Sequence, residues 1–184
     1  MFKRPSDWTE KYKPKSLNEV VGNKRARDKL NNFLASGDFP DILLHGGPGR
    51  GKTTSALIFS SLTGAEVRIW NAGQIRGGIE EVRKEIVGFA SSVSIDKPFK
   101  IAILDEFNLF SNQGQAVLRA CMDKYGQNCK FIMISNVPQD LNVWIRSRVC
   151  AIEYYPLTRE DIFERLKVII EAENLYEIIT EDQL

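Results

Sequence analysis

Eight consecutive residues, Gly46-Gly47-Pro48-Gly49-Arg50-Gly51-Lys52-Thr53, fit the pattern G-x-x-x-x-G-K-[ST] in full. This spacing suits the holding of linked phosphates. Glycines let successive backbone N–H groups point into one hollow. A helix beginning just after the loop adds its positive N-terminal end. Lys52 supplies a point charge for β- and γ-phosphates, and the Thr53 hydroxyl is the expected Mg²⁺ ligand. A merely structural glycine-rich turn is the alternative. The apolar run before the loop and the helical pattern after it favour the phosphate reading.

A second signal is Asp105-Glu106, which closes the apolar run Ile101-Ala102-Ile103-Leu104. A carboxylate at the C-terminal end of a buried strand sits at the ligand-binding edge of an open α/β sheet. Asp105 is expected in the Mg²⁺ shell. Glu106 is expected to orient and deprotonate a water for in-line attack on a γ-phosphate. A kinase must keep water away from that phosphate, so a built-in water-activating glutamate points to a nucleotide hydrolase.

These groups need strands and helices to bring them together. Ile42–His45, Glu66–Trp70, Phe99–Leu104 and Lys130–Ser135 read as strands, and Val149–Tyr154 is a candidate fifth. Helical spacing marks about 23–35, 51–62, Ile79–Ser91 and Gln113–Tyr125. Strands alternating with helices over long connections predict an α/β three-layer sandwich with a mainly parallel five-stranded sheet. Residues 1–22 carry Pro5, Pro14 and Gly22 and read as an irregular arm. After Pro156 the pattern becomes helical. Thr158-Arg159-Glu160-Asp161 is a helix-start signal, Ile162, Leu166, Ile169 and Ile170 are expected on one face, and a further helix is expected from Leu175 to Leu184. The division expected is therefore 1–156 and 157–184, the second part being the start of a helical lid.

The 184 residues carry a formal net charge of +1, which excludes a strongly basic or acidic tail as a description of the whole chain. Residues 1–30 balance at +5, 31–150 at +2 and 151–184 at −6, so two modules, two contact surfaces or simply solvated faces are all compatible with the distribution. No apolar run reaches the ~18 residues of a membrane span. Cys121, Cys129 and Cys150 form no Cys-x-x-Cys pair and read as reduced thiols. His45 is the sole histidine, better placed as a strand-end residue than as a base. Trp70, Phe110 and Trp144 read as packing residues and Cys121 as core. Arg119 is open between an ion pair and an approach to nucleic acid.

Taken together, the motifs resemble those of AAA+ ATPases, and within them the replication factor C small subunits and related phage and archaeal clamp loaders. The resemblance rests on Trp8-Thr9-Glu10-Lys11-Tyr12-Lys13-Pro14 with Val20-Val21-Gly22, the phosphate loop and Asp105-Glu106. It extends through Arg76-Gly77-Gly78-Ile79-Glu80-Glu81-Val82-Arg83, Gln115-Ala116-Val117-Leu118-Arg119, Ser135-Asn136 and Ser147-Arg148. It implies ATP and Mg²⁺ as cofactors, with Thr9, Tyr12, Lys13, Val20 and Val21 on the base and ribose side, Thr54 beside the loop, and Asn136 sensing the γ-phosphate. Arg148 is implied as an arginine finger acting in trans on a neighbour's ATP. Arg76, Gly78 and Arg83 are implied to contact DNA, and Gln115 to couple that contact to catalysis.

The implied partners are other loader subunits in a ring or spiral of five, a sliding clamp and primer–template DNA, inside the cell and away from membranes. Another AAA+ DNA motor, such as a branch-migration helicase or helicase loader, and a nucleotide-binding assembly subunit that does not hydrolyse are the alternatives. Lys13 stands where the family usually has Arg, Phe107-Asn108 follow Asp105-Glu106 in place of Ala-Asp, and Val149 replaces a Cys. The family's sensor 2 arginine and helical collar do not occur in the sequence, so a longer natural protein or a partner on the last helices is expected, with activity only in an oligomer.

Overall fold

In a computed structural model, residues 8–75, 77–173 and 175 are described. The phosphate loop is positioned by a five-stranded sheet in the order β2-β3-β4-β1-β5. The strands are β1 (Ile42–His45), β2 (Glu66–Asn71), β3 (Lys100–Asp105), β4 (Cys129–Ser135) and β5 (Cys150–Glu153). Every pairing is parallel. β3 and β4 are interior strands and nearly every residue in them is buried, which is why they read as continuous apolar runs. The half-exposed β2 and the short β5 are the two edges.

Alternation along the strands feeds two cores. Ile101 and Ile103 of β3 join Ile42 and Leu44, Ile132 and Ile134 on one face. Ala102 and Leu104 join Leu43, Phe131 and Met133 on the other. The first face is covered by α2 (Lys24–Ser36) through Ala26 and Leu30, and by α3 (Lys52–Leu62) through Ala56 and Phe59. The second is covered by a helical run over 78–91 and by α6 (Asn112–Tyr125), through Val82, Ile86, Phe89, Leu118 and Met122. That makes the three layers expected from the alternation of strands and helices.

Several elements differ from the sequence reading. The helix expected over Ile79–Ser91 is composite: α4 (Gly78–Glu81), a π-helical turn Val82–Val87, and α5 (Gly88–Ser91). Val82 and Ile86 stay buried through the wider turn. The arm is not wholly irregular, because α1 (Trp8–Lys11) and a 3₁₀ turn at Leu17–Glu19 interrupt it. Leu17 and Val20 are anchored in the first core, so tertiary contacts supply what local periodicity does not.

The short α7 (Val143–Arg146) leaves Trp144 57% exposed. The packing role expected of Trp144 is therefore corrected; Ile145 next to it is the buried residue. In α8 (Arg159–Glu173), Ile162 and Leu166 are exposed and Ile170 is buried, so the expected single apolar face is buried at one end alone. The helix expected from Leu175 onward lies, past Leu175, outside the described residues. Among the described residues, no helix is long and apolar enough to cross a membrane.

Candidate active site

The loop leaves the C-terminal end of β1 and enters α3. Glycine is required at its first position. Gly46 has φ +135°, and a Cβ there would lie 2.2 Å from the Tyr154 backbone oxygen, far inside van der Waals contact. Gly49 and Gly51 also have positive φ, at +72° and +88°. Gly51 caps α3, which puts Lys52 at its first position.

The Lys52 ammonium is buried and all three of its N–H donors are engaged. It donates to Gly46 O at 2.8 Å, Gly47 O at 2.7 Å and Asn136 Oδ1 at 2.9 Å. Burial, reinforced by the neighbouring Arg50 charge, lowers its pKa, because a desolvated cation with a cation beside it is less stable. An incoming phosphate would supply the missing negative charge. Asn136 extends from the end of β4, between β1 and β3, so the residue expected as the sensor and the loop lysine meet directly.

Thr53 Oγ1 donates to Asp105 Oδ2 at 3.1 Å. Two oxygens on adjacent corners of a Mg²⁺ octahedron are ~3 Å apart at normal bond lengths, so this pair fits a Mg²⁺ whose remaining ligands are phosphate and water oxygens. No group of three or more His, Cys, Asp or Glu able to cage a metal occurs among the described residues.

Asp105 Oδ1 also accepts the Glu106 N–H at 2.8 Å. Glu106 is left-handed at φ +53°, a conformation that costs a non-glycine residue on the order of 1 kcal/mol. Its carboxylate lies against Gly73, where a Cβ would sit 3.0 Å from Oε2. Glu106 is thus turned toward the end of β2, while Asp105 faces the loop.

The residues expected on the base side lie on the arm and beside α8. Thr9, Tyr12, Lys13 and Thr54 line a hollow of about 470 Å³ together with Trp8 and Ile169. Val20, Val21, Gly49, Arg50, Gly51 and Thr54 line an adjoining one of about 160 Å³. Tyr12 Oη donates to Glu173 Oε1 at 2.7 Å and Lys11 Nζ pairs with the same oxygen at 2.5 Å. Arg165 donates to the Tyr12 carbonyl. Arg50 donates from Nη1 to Tyr154 O at 2.9 Å. Pro48 lies at the loop's exposed tip.

Other expected residues are dispersed. Gln115 is buried, its Nε2 donating to Phe110 O and its Oε1 accepting Asn142 N–H, so it bridges the segment after Glu106 to the start of α7. Arg83 pairs with Glu80 at 2.8 Å on an exposed face, and Gly78 opens α4 with free space around it. Arg76 lies outside the described residues. Arg148 precedes β5 and donates from Nε to Asp123 Oδ1 at 2.8 Å. Cys150 pairs in register with Ile42, the first residue of β1. Arg148 therefore lies at the opposite end of the sheet, ~10 Å of strand rise away from the loop.

The sequence reading missed Asp123 and Glu173, and it placed Ile169 on the apolar face of the last helix without connecting it to the hollow. It also missed Asn23, whose side chain bridges to Tyr155 and holds the arm to the chain after β5. Arg119 to Asp123 is an i,i+4 charge pair that a helical frame reveals; the rest are tertiary meetings with no local signal.

The model of the ATPase family associated with various cellular activities (AAA) matches residues 42–157, which run from β1 to the residue after Pro156. The chain belongs to the AAA ATPase family.

Within this AAA family it is similar to the replication factor C small subunit of Methanococcus maripaludis, 36% identical over 173 residues covering 91% of this chain and 55% of that protein. It is likewise 36% identical to replication factor C small subunit 2 of Pyrobaculum islandicum, over 91% of this chain and 54% of the relative. The chain spans about half the length of the curated relatives it matches. Among solved structures, the Thermotoga maritima RuvB Holliday junction branch migration motor superposes with a TM-score of 0.74 at 20% identity, over 89% of this chain and 55% of that one. At that identity the likeness is one of fold.

Proposed function

We propose that the chain is an ATPase subunit of a sliding-clamp loader, which uses ATP binding and hydrolysis to open a clamp and place it on primer–template DNA. The observation that carries this reading is the match of 91% of the chain to replication factor C small subunits. Around the loop, the contacts of Lys52 with Asn136 and of Thr53 with Asp105 support it.

In this reading the base lies in the hollow of Thr9, Tyr12 and Lys13, and the triphosphate crosses Val20, Val21 and the 46–51 loop to Thr53 and Thr54. Lys52 exchanges its loop carbonyls for β- and γ-oxygens. Mg²⁺, when held beside Thr53 and Asp105, neutralises charge on those oxygens. Asn136 donates to a γ-oxygen. Glu106 turns from Gly73 toward the loop and takes a proton from water as the water oxygen bonds to the γ-phosphorus. The bond to the β–γ bridging oxygen breaks, and that oxygen keeps the electron pair on ADP. Arg148, distant from its own loop, serves the γ-phosphate of a neighbouring subunit. Arg76, Arg83 and the helix start at Gly78 contact the DNA backbone by charge and shape, and Gln115 links that contact to the segment after Glu106. The chain after Pro156 forms the start of the lid.

The test is steady-state ATP turnover of the protein mixed with its partner subunits, with and without primer–template DNA and clamp. Stimulation by both is expected, falling by ~10³-fold or more in Arg148→Ala. Stimulation by DNA alone would shift the reading to a DNA motor, and nucleotide binding without turnover under every condition to an assembly subunit.

A further inference from the structure

We infer that Asp123 positions the finger Arg148, so that it reaches a neighbour's phosphate already oriented. This rests on the trans role proposed for Arg148. The geometry is specific. Nε of Arg148 donates to Asp123 Oδ1 at 2.8 Å, and Nη2 reaches Oδ2 at 3.5 Å. Nη1 donates to the Trp144 carbonyl at 2.9 Å. Three of the five guanidinium N–H groups are committed to α6 and α7, which leaves two for an anion. An arginine side chain otherwise loses considerable rotamer freedom when it docks, and a finger is useful only in a narrow range of positions.

Asp123 has a second cation beside it. Arg119, one turn earlier on α6, approaches it at 3.8 Å, and the Arg119 guanidinium lies over the Trp144 ring, 5.6 Å from its centroid. Asp123 thus stands between two cations on a seam shared by α6 and α7. Both partners of the Arg148 pair are partly exposed, with side chains 34% and 47% accessible. A pair in that setting is weak. It can orient the guanidinium and still yield when a more highly charged phosphate arrives, whereas a buried pair would hold the arginine back.

The experiment is a double-mutant cycle on ATP turnover of the protein assembled with its partner subunits, in the presence of primer–template DNA and clamp. Asp123→Ala is expected to lower kcat by about tenfold, with KM for ATP within twofold, because the finger acts on chemistry at the neighbour and not on binding at its own loop. Asp123→Glu should recover part of that loss. Added to Arg148→Ala, the Asp123 substitution should cost nothing further, since it acts through the arginine. Full turnover in Asp123→Ala, while Arg148→Ala is inactive, would overturn the positioning role and leave the finger intact. An additive loss in the double variant would also overturn it, by showing an effect on folding or assembly. Full turnover in Arg148→Ala would remove the finger and the positioning role together.

Discussion

Lys52 and Gly46 show how much of the site is decided by single residues. The ammonium of Lys52 is engaged by two loop carbonyls and Asn136, so the loop holds its charge ready at low dielectric. Gly46 lets the loop pass over Tyr154. Gly46→Ala would place a Cβ 2.2 Å from a backbone oxygen at φ +135°, and neither atom can move cheaply. The expected cost is about 2 kcal/mol or more in stability, with ATP affinity lost as the loop is displaced. Thermal melting together with ATP titration checks this; unchanged values in both would show that the loop is not held in this path. Residues 46–53 and Asp105-Glu106 were legible because the chemistry sits in contiguous sequence. The Asp123–Arg148 pair was not, because it joins residues 25 apart, one on α6 and one in the turn between α7 and β5.

At the scale of elements, strand starts matter as much as strand ends. Asp41, just before β1, accepts Phe131 N–H of β4 at 2.7 Å, while its carbonyl accepts Cys150 N–H of β5. Three strands are tied at one residue. Burial pushes the Asp41 carboxyl up to about 6 from 3.8. The folded state therefore binds more protons than the unfolded state between those values, and stability falls as pH rises through that window. The cost is absent below pH ~4 and complete above pH ~6, at about 2 kcal/mol after allowance for partial solvent access. Asp41→Asn keeps an acceptor for Phe131 and removes the charge, so it should melt higher than the parent at pH 7, with the gap closing toward pH 4. A gap independent of pH would contradict this assignment.

The arm was less legible than the sheet. β3 and β4 announce themselves as apolar runs, but α1 and the Leu17–Glu19 turn depend on distant partners. Tyr12 and Lys11 share Glu173 of α8 in one clip, and Tyr12 in turn lines the hollow proposed to take the base. Glu173→Ala should weaken ATP binding by about two- to fivefold with little change in melting temperature, as suits an exposed contact. Isothermal titration reads this directly, and an unchanged affinity would separate the clip from the nucleotide site.

For the whole molecule, the uneven charge has a partial structural counterpart. The basic first 30 residues and the acidic last 34 meet where Lys11 pairs with Glu173 across the described arm and α8. Ile162, Leu166 and Val168 of α8 remain exposed, and the chain spans about half of the relatives it matches. The fold class was legible from the alternation of strands and helices. The placement of the loop and Arg148 at two ends of one sheet was not, because it depends on strand register.

In the proposed reading Glu106 serves chemistry and not binding, and the most direct measurement compares ATP affinity with ATP turnover in Glu106→Gln, in the assembled protein with DNA and clamp. The expected result is an affinity within about threefold of the parent and a turnover lower by ~10²-fold or more, since the amide cannot accept the proton from water. Turnover equal to the parent would contradict the assignment of Glu106 as the group that activates water.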